Sequence, residues 1–434
     1  MEDRRKHLVF ISYYFPPMGG GGVQRITKFL KYFNYQTYRV TALTVKPSYF
    51  YSNDESLQQD VPDDVQVIRS GSLDPFRLMY LIQKIFRFKQ KNKNLTRESG
   101  GGVRKIATSI FVPDSRLLWL PFALWKLWRL QRSQKIDTII ASMPPFTTGL
   151  IATILKPFAA KTILDFRDAW TNNPYLLTVN FLHRKLSEKM EAFCLFRTAG
   201  VIFVNPALET YYREKYPQIR QKPTATIRNG YDPEDFPASI RKEMPAPKQN
   251  YFELGIMGTV YSRGNCPESL IRAIQELNAE TADFRSNFRL VFIGKWSPDF
   301  LRFIKEVDIQ EIVEFIPYRP HRQALERAAR FDALSLSIDS ELEGSAAVTP
   351  GRIYEYLFLK KPILALCPLQ SDLANLVRDQ NAGEVVDFKN IKKIKDVIGD
   401  WIANRDNLKD RYTFQNLAQF SRESQAKLLM EFID

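Results

Sequence analysis

The sequence predicts an α/β fold made of two doubly wound domains, each built on a parallel sheet. Its 434 residues exceed what one hydrophobic core usually organises, so two domains of roughly 200 residues are expected. Short apolar runs rich in β-branched and aromatic residues alternate with segments of helical periodicity, which is typical of βαβ units. A polar stretch with four prolines at 232–250 interrupts this alternation and is the predicted linker.

Candidate strands divide between the two halves of the chain. Those of the first half are Leu8–Phe15, Arg39–Val45, Val65–Arg69, Thr138–Ser142, Lys161–Phe166, Gly200–Asn205 and Thr224–Arg228. Those of the second half are Tyr251–Gly258, Arg289–Gly294, Val313–Pro317, Ala333–Ile338, Pro362–Leu366 and Glu384–Asp387. The predicted domains are therefore residues 1–245 and 246–407, followed by a C-terminal helix within 408–434.

Positive charge is concentrated in the segment 76–135, which holds fourteen basic residues against two acidic ones in a chain of net charge +14. Within it, 78–91 has a basic amphipathic pattern with Lys84, Arg87 and Lys91, and 117–132 places tryptophans beside cations. The predicted membrane-facing residues of this second stretch are Trp125, Trp128 and Arg129. Such patterns suit an anionic membrane surface. The alternative is an ordinary core helix with a solvated basic face.

Two other features bear on location. The longest apolar region, 117–128, contains a proline and a lysine and is shorter than the ~18 apolar residues that a membrane span needs. The three cysteines are far apart and fit neither a disulfide framework nor a CxxC metal site. We therefore expect a cytoplasmic protein held peripherally at the inner face of the cell membrane.

The first candidate site is a glycine-rich loop after the first strand, with Gly20, Gly21 and Gly22 at the start of an amphipathic helix. Glycines there let backbone N–H groups approach a diphosphate, and the helix N-terminus favours an anion. The alternative is a flexible surface loop. The second candidate is Arg167 and Asp168, at the carboxyl end of a strand where open α/β sheets bind ligands. Its alternative is a structural pair between Arg167 and Asp165 or Asp168.

The second half repeats this arrangement. Gly258 ends a strand, Arg263 lies in the turn that follows, and Lys295 follows the next strand. An arginine and a lysine at neighbouring strand ends are suited to clamp a diphosphate and offset the charge on a departing nucleotide.

The most informative stretch lies at 348–366. Pro350 and Gly351 are predicted to open a helix whose free N–H groups face an anion. Arg352 lies in the first turn, where a cation is unfavourable unless it serves a bound anion. Glu355 shares its face and is placed to accept ribose hydroxyls. The alternative is a surface pair between Arg352 and Glu355.

Taken together, these motifs resemble the large retaining family 4 of glycosyltransferases with the GT-B fold, which includes many bacterial polysaccharide and lipopolysaccharide enzymes. The matching segments are the glycine-rich loop, DFRDAW at 165–170, RNGYD at 228–232, GTVYSRG at 258–264 and PGRIYEYLFLKKPILAL at 350–366. The resemblance implies two Rossmann-like domains whose parallel sheets face each other across a cleft. It further implies a donor bound mainly by the second domain, a C-terminal helix crossing back to the first, and no obligatory metal or separate cofactor.

The resemblance also assigns roles. Arg263 and Lys295 would hold the donor diphosphate, and Glu355 would be the second glutamate of the E-x7-E motif. At the first glutamate the chain has Ala347 instead, and the nearby acids are out of register. A histidine often found in the first domain is missing, and the three histidines of the chain are poor substitutes by position. Catalysis would be a front-face reaction, with Asp168 contacting the acceptor or the sugar.

The expected function is transfer of a sugar from a nucleotide-sugar donor to a lipid-linked or saccharide acceptor in cell-surface polysaccharide biosynthesis. Three alternatives stay open. A nucleotide-sugar epimerase of the same fold would turn over the donor without an acceptor. A non-catalytic paralogue would bind the sugar nucleotide only. A nucleic-acid-binding protein would use 76–135, although recognised nucleic-acid motifs are absent from the sequence and no nucleic-acid partner is expected.

Overall fold

The structure, a computed structural model, describes residues 4–48, 53–86, 111–154, 161–175, 180–245, 247, 249–261 and 264–434, without the side chains of 83–86. The described residues form two compact units. Unit 1 contains those up to Asn229 together with Arg422–Asp434, and unit 2 contains Gly230–Ser421. Both are α/β with parallel strands, as predicted.

Unit 1 is built on a seven-stranded parallel sheet in the order β3-β2-β1-β4-β5-β6-β7. Its strands are β1 (Lys6–Ile11), β2 (Tyr38–Val45), β3 (Gln66–Ser70), β4 (Thr138–Met143), β5 (Lys161–Phe166), β6 (Gly200–Phe203) and β7 (Thr224–Thr226). The helices between them are α1 (Gly21–Lys31), α2 (Pro75–Phe86), α3 (Leu120–Ser133), α4 (Thr147–Ile154), α5 (Phe181–Arg197) and α6 (Pro206–Lys215). The inner strands are largely apolar and buried because helices cover both faces of a parallel sheet, whereas the edge strands β3 and β7 are only partly buried.

Unit 2 is built on a six-stranded parallel sheet in the order β10-β9-β8-β11-β12-β13. Its strands are β8 (Phe252–Val260), β9 (Phe288–Trp296), β10 (Val313–Pro317), β11 (Ala333–Ser337), β12 (Ile363–Leu366) and β13 (Gly383–Val386). Its helices are α7 (Ala238–Lys242), α8 (Glu268–Glu280), α9 (Phe284–Asn287), α10 (Pro298–Glu306), α11 (His321–Ala328), α12 (Arg352–Leu359), α13 (Asp372–Asp379) and α14 (Ile391–Ala403). Every predicted strand is present, with bounds that differ by a few residues.

The boundary between the units differs from the predicted one. The sequence analysis places it after residue 245, whereas the structure assigns residues from Gly230 onward to unit 2. The reason is that Phe236 and Ile240 are buried in the core of unit 2. The prolines of this stretch therefore lie on the surface of a domain that has already begun.

The final helix, α15 (Arg422–Ile433), belongs to unit 1 and packs against α1. Ala426, Leu429 and Ile433 are buried in the core of that unit. The prediction of a helix from about 408 was wrong in its start. Phe414 and Asn416 have φ values of 49° and 51°, which a right-handed helix cannot accommodate.

No helix among the described residues is long and apolar enough to cross a membrane. The three cysteines are free thiols.

Candidate functional site

Two glycines bring β8 and β9 into close approach at the carboxyl edge of the unit 2 sheet. Gly258 and Gly294 are opposite each other in the strand register, with φ values of 102° and 142°. A Cβ atom on Gly294 would lie 2.0 Å from the carbonyl oxygen of Gly258. Both positions therefore require glycine, for space and for backbone conformation.

Arg352, the first residue of α12, lies directly against this edge. The helix is held to β8 by the backbone N–H of Met257, which donates to the hydroxyl of Tyr356 at 2.9 Å. One turn earlier, the Arg352 guanidinium approaches Gly258 so closely that a Cβ there would be 2.6 Å from Nη1. The absence of a side chain at 258 thus makes room for the guanidinium, which connects two of the predicted donor-binding residues.

Within the described part of the chain, Nη1 of Arg352 is buried without a hydrogen-bond acceptor, and the hydroxyl of Ser337 at the end of β11 is likewise buried without a partner. Both residues line one small cavity, together with Asn265 and Pro267. A buried guanidinium N–H without an acceptor is energetically unfavourable. The cavity is therefore suited to an anionic group that supplies acceptor oxygens.

Lys295 adds a second cation at this edge. β9 runs to Trp296, so Lys295 lies within the strand, opposite Thr259, rather than after it as predicted. Its side chain is buried, with Nζ 4.7 Å from the centre of the Tyr318 ring. Burial lowers the pKa of the Lys295 ammonium. A partly desolvated ammonium interacts strongly with an anion because water screens it less.

Glu355 is paired with a histidine that the sequence analysis set aside. Nε2 of His321, the first residue of α11, lies 2.7 Å from Oε1 of Glu355, and both side chains are more than four-fifths buried. The alternative, a surface pair between Arg352 and Glu355, is not formed. The pairing with His321 could not be found from spacing, since 34 positions separate the two residues.

The loop before α12 is anchored at its other side. Gly351 is the N-cap of the helix, and the carbonyl of Pro350 accepts the N–H of Ile353 at 3.0 Å. The hydroxyl of Thr349 donates to Asp372 at 2.6 Å, which ties the loop to α13. Ala347 ends a short 3-10 turn just before it. Arg263 lies outside the described residues, so its predicted role stays a prediction.

The glycine-rich loop of unit 1 meets Arg167. Gly20 has a φ of 96° and caps α1, and a Cβ on Gly21 would have nothing within 4 Å. A Cβ on Gly22 would lie 2.0 Å from Nη1 of Arg167. The guanidinium also donates from Nε to the carbonyl of Met143 at 3.1 Å. A side chain at 22 would therefore require the Arg167 guanidinium to shift, and the predicted approach of a diphosphate to this loop stays a prediction.

Asp165 is held by Arg25, so the predicted alternative pair between Arg167 and Asp165 is not formed. The guanidinium of Arg25 donates to both carboxylate oxygens, at 3.0 and 2.7 Å, and both side chains are buried. Ser142 donates to the same carboxylate at 3.0 Å. Asp168 is exposed at the sheet edge. Burial lowers the pKa of Arg167, and the charge of Asp168 opposes that shift.

The predicted membrane-facing residues are only partly described. Trp125 and Trp128 on α3 are 50% and 37% exposed, and the Arg129 guanidinium lies 5.0 Å from the ring centre of Trp125. Lys84 lies in α2, but its side chain is outside the described part, and Arg87 and Lys91 lie outside the described residues. The nearby Trp119 is fully buried and donates to the hydroxyl of Ser70 at 2.6 Å, so it belongs to the core.

A family model described as "Glycosyl transferase 4-like domain" matches residues 20–230. Among solved structures, sucrose-phosphate synthase from Thermosynechococcus elongatus is similar, with a TM-score of 0.67, 14% identity and coverage of 98% of each chain. Anabaena HepE in complex with UDP-glucose has a TM-score of 0.62 and 13% identity, again with 98% of each chain covered. A TarM variant from S. aureus, in complex with fondaparinux, alpha-GlcNAc-glycerol and UDP, has a TM-score of 0.61 and 11% identity over 99% of this chain and all of that one.

No curated protein matches the chain significantly. At these identities the structural similarities establish the fold, and the family model matches a glycosyltransferase domain over residues 20–230.

Proposed function

We propose that the protein is a glycosyltransferase whose donor is a nucleoside-diphosphate sugar, because residues 20–230 match a glycosyl transferase 4-like domain and the chain has the GT-B fold. The observation that supports this donor most directly is the buried, unpaired Nη1 of Arg352 beside the glycine edge of unit 2. A diphosphate would supply the missing acceptor oxygens to a group that is otherwise buried unfavourably.

In the proposed reaction, an acceptor hydroxyl attacks the anomeric carbon while the bond from that carbon to the diphosphate oxygen breaks. The attack occurs on the face from which the diphosphate leaves, so the reaction retains configuration without an enzyme nucleophile. The leaving diphosphate takes the proton of the acceptor, and the proposed reaction needs no metal. The chain's contribution is positioning and charge stabilisation. Arg352 and Lys295 offset the charge that develops on the diphosphate, with Arg263 as a third cation in this proposal.

Glu355 is proposed to accept hydrogen bonds from the donor ribose. Its pairing with His321 at 2.7 Å fixes the carboxylate at the start of α12, so that it need not be ordered when the donor binds. In unit 1, Asp168 and Arg167 are proposed to contact the acceptor or the transferred sugar. Asp168 is exposed at the carboxyl edge of the sheet, where open α/β sheets bind their ligands.

The proposed acceptor is a lipid-linked or saccharide molecule of cell-surface polysaccharide or lipopolysaccharide biosynthesis, reached from the cytoplasmic face of the membrane. The exposed tryptophans and cations of α3 support a peripheral membrane location. Among donor nucleotides, UDP is the first to test, because the HepE and TarM structures hold UDP-glucose and UDP.

Calorimetric titration of the protein with UDP, GDP, ADP and CMP tests the donor site, with Glu355→Ala and Arg352→Met as variants. We expect one diphosphate to bind and both variants to weaken it at least about tenfold. Equal binding by wild type and both variants, or none of these nucleotides binding, would refute the proposed donor site. Incubating the corresponding nucleotide sugar without acceptor then separates transfer from epimerisation, since only an epimerase would convert the donor into its epimer.

A further inference from the structure

The outward face of α5 is apolar, the reverse of an ordinary surface helix. Its large exposed side chains, with their exposed fractions, are Phe181 (72%), Leu182 (74%), Leu186 (41%), Phe193 (42%) and Phe196 (72%). The opposite side of the helix buries Ser187 and Glu191 among its contacts with the rest of unit 1. Single exposed apolar residues are common, but a whole helix face of this kind marks a binding surface.

Cations interleave with these apolar side chains. Arg184, Lys185 and Lys189 are exposed, and the ammonium of Lys185 lies 4.4 Å from the ring centre of Phe181. None of the exposed residues of α5 is acidic. Glu188 is only partly exposed and pairs with Arg184 at 3.2 Å. The face therefore combines large apolar side chains with net positive charge.

A neighbouring helix, α3, has a similar exposed composition. α4 packs against both α3 and α5, so the three helices form one layer on one side of the unit 1 sheet. α3 contains no acidic residue and exposes Trp125 and Trp128 together with Arg129 and Arg132. Because α5 follows β5, its first residues, Phe181 and Leu182, lie toward the carboxyl edge of the sheet, the edge at which Arg167 lies.

We propose that the outer surface of α5 binds an anionic lipid bilayer, with its phenylalanine and leucine side chains among the lipids and its cations at the headgroups. Interfacial helices have this composition, and the charge is complementary to anionic lipids. A second copy of the chain is a poorer occupant, since a symmetric contact would place the same cations opposite each other. This inference assigns a surface to the proposed membrane location. It rests on the proposed function only where it concerns the lipid-linked acceptor.

Co-sedimentation of the full chain with vesicles tests the surface. Vesicles of phosphatidylcholine with a quarter of phosphatidylglycerol are compared with pure phosphatidylcholine at low and high salt. We expect binding to the anionic vesicles at low salt only. In the double variant Lys185→Gln/Lys189→Gln the partition coefficient should fall roughly thirtyfold, since each nearby cation contributes about 1 kcal/mol. In Leu182→Ser/Phe196→Ser it should fall by at least about tenfold.

The control is Leu369→Ser/Leu428→Ser, which removes two exposed leucines elsewhere on the chain; they are 45% and 42% exposed, against 74% and 72% for Leu182 and Phe196. We expect this control to bind vesicles as the wild type does. Equal vesicle binding by all three variants would overturn the proposal, as would a loss of dimer on sedimentation equilibrium in the α5 variants with unchanged vesicle binding. Titration with UDP in the same variants keeps the two proposals apart, because the α5 variants should bind nucleotide normally even if the membrane surface is lost.

Discussion

Replacing Arg352 by methionine should have opposite effects on stability and on nucleotide binding. Methionine keeps most of the side-chain length beside Gly258 but removes the guanidinium with its buried, unpaired Nη1. An unsatisfied buried donor destabilises a fold by about 1–3 kcal/mol. Without nucleotide, the free energy of unfolding should therefore stay level or rise by up to about that amount in Arg352→Met.

With nucleotide present, the same change should be unfavourable. A hydrogen bond from a charged donor contributes about 1.5–3 kcal/mol, so the dissociation constant for the diphosphate should rise roughly 10- to 150-fold. Urea unfolding with and without saturating UDP measures the first effect, and isothermal titration calorimetry measures the second.

Arg327→Met provides the matched control on the same unit. The Arg327 guanidinium donates to both carboxylate oxygens of Glu253, at 3.0 and 2.6 Å, and Glu253 is almost fully buried. Removing the cation leaves a buried carboxylate unpaired, so stability should fall by roughly 3 kcal/mol while nucleotide affinity is unchanged. If Arg352→Met behaves like this control, Arg352 is a structural residue and the reasoning about the cavity is wrong.

Three further perturbations follow from the structure. His321→Ala should weaken nucleotide binding about two- to tenfold and Glu355→Ala more strongly, because the histidine only orients the carboxylate; calorimetry giving equal losses would contradict this order. Burial lowers the pKa of Lys295 below the ordinary 10.5, so the cation is lost from the fold at a lower pH than from the unfolded chain. UDP affinity should therefore fall as pH rises through the lowered pKa. The nucleotide-free protein should instead gain stability as pH rises between that pKa and 10.5. A Lys295→Met variant with the same pH profile would show that Lys295 is not the group responsible. Asp165→Leu should lower the free energy of unfolding by about 3–5 kcal/mol in denaturant titrations because the charge of Arg25 is left buried without a carboxylate. A change under about 1 kcal/mol would show that the pair is dispensable.

The elements of both sheets could be predicted because their signals are local. β5 and β10 have the predicted bounds, and the strand at 138 differs by one residue. The first strand was predicted to reach Phe15, but it ends at Ile11, after which the chain leaves the sheet edge toward the glycine loop. An uninterrupted run of apolar residues indicates that the segment is buried. Residues 12–15 are mostly buried, but they are not part of the strand. Burial alone therefore does not mark where pairing ends.

The composition of the candidate site was also readable in part. A proline-glycine pair before a helix, with Arg352 in its first turn, indicates an anion because a cation there is otherwise unfavourable. The spacing of residues along the sequence could not predict which group each charged side chain contacts. Arg352 and Glu355 share a helix face, and yet the carboxylate pairs with His321 and the guanidinium packs against Gly258.

By itself, the sequence determined the fold class, the two domains, the order of strands and helices along the chain, and the stretches that hold the candidate site. These follow from periodicity and from the conformational needs of single residues, which act over a few positions. Only the tertiary structure decided that Arg25 reaches Asp165 across 140 positions, and that the apolar side of α5 faces outward. The physical reason is that helical periodicity defines the two sides of a helix, whereas the sheet and its neighbouring helices determine which side is covered.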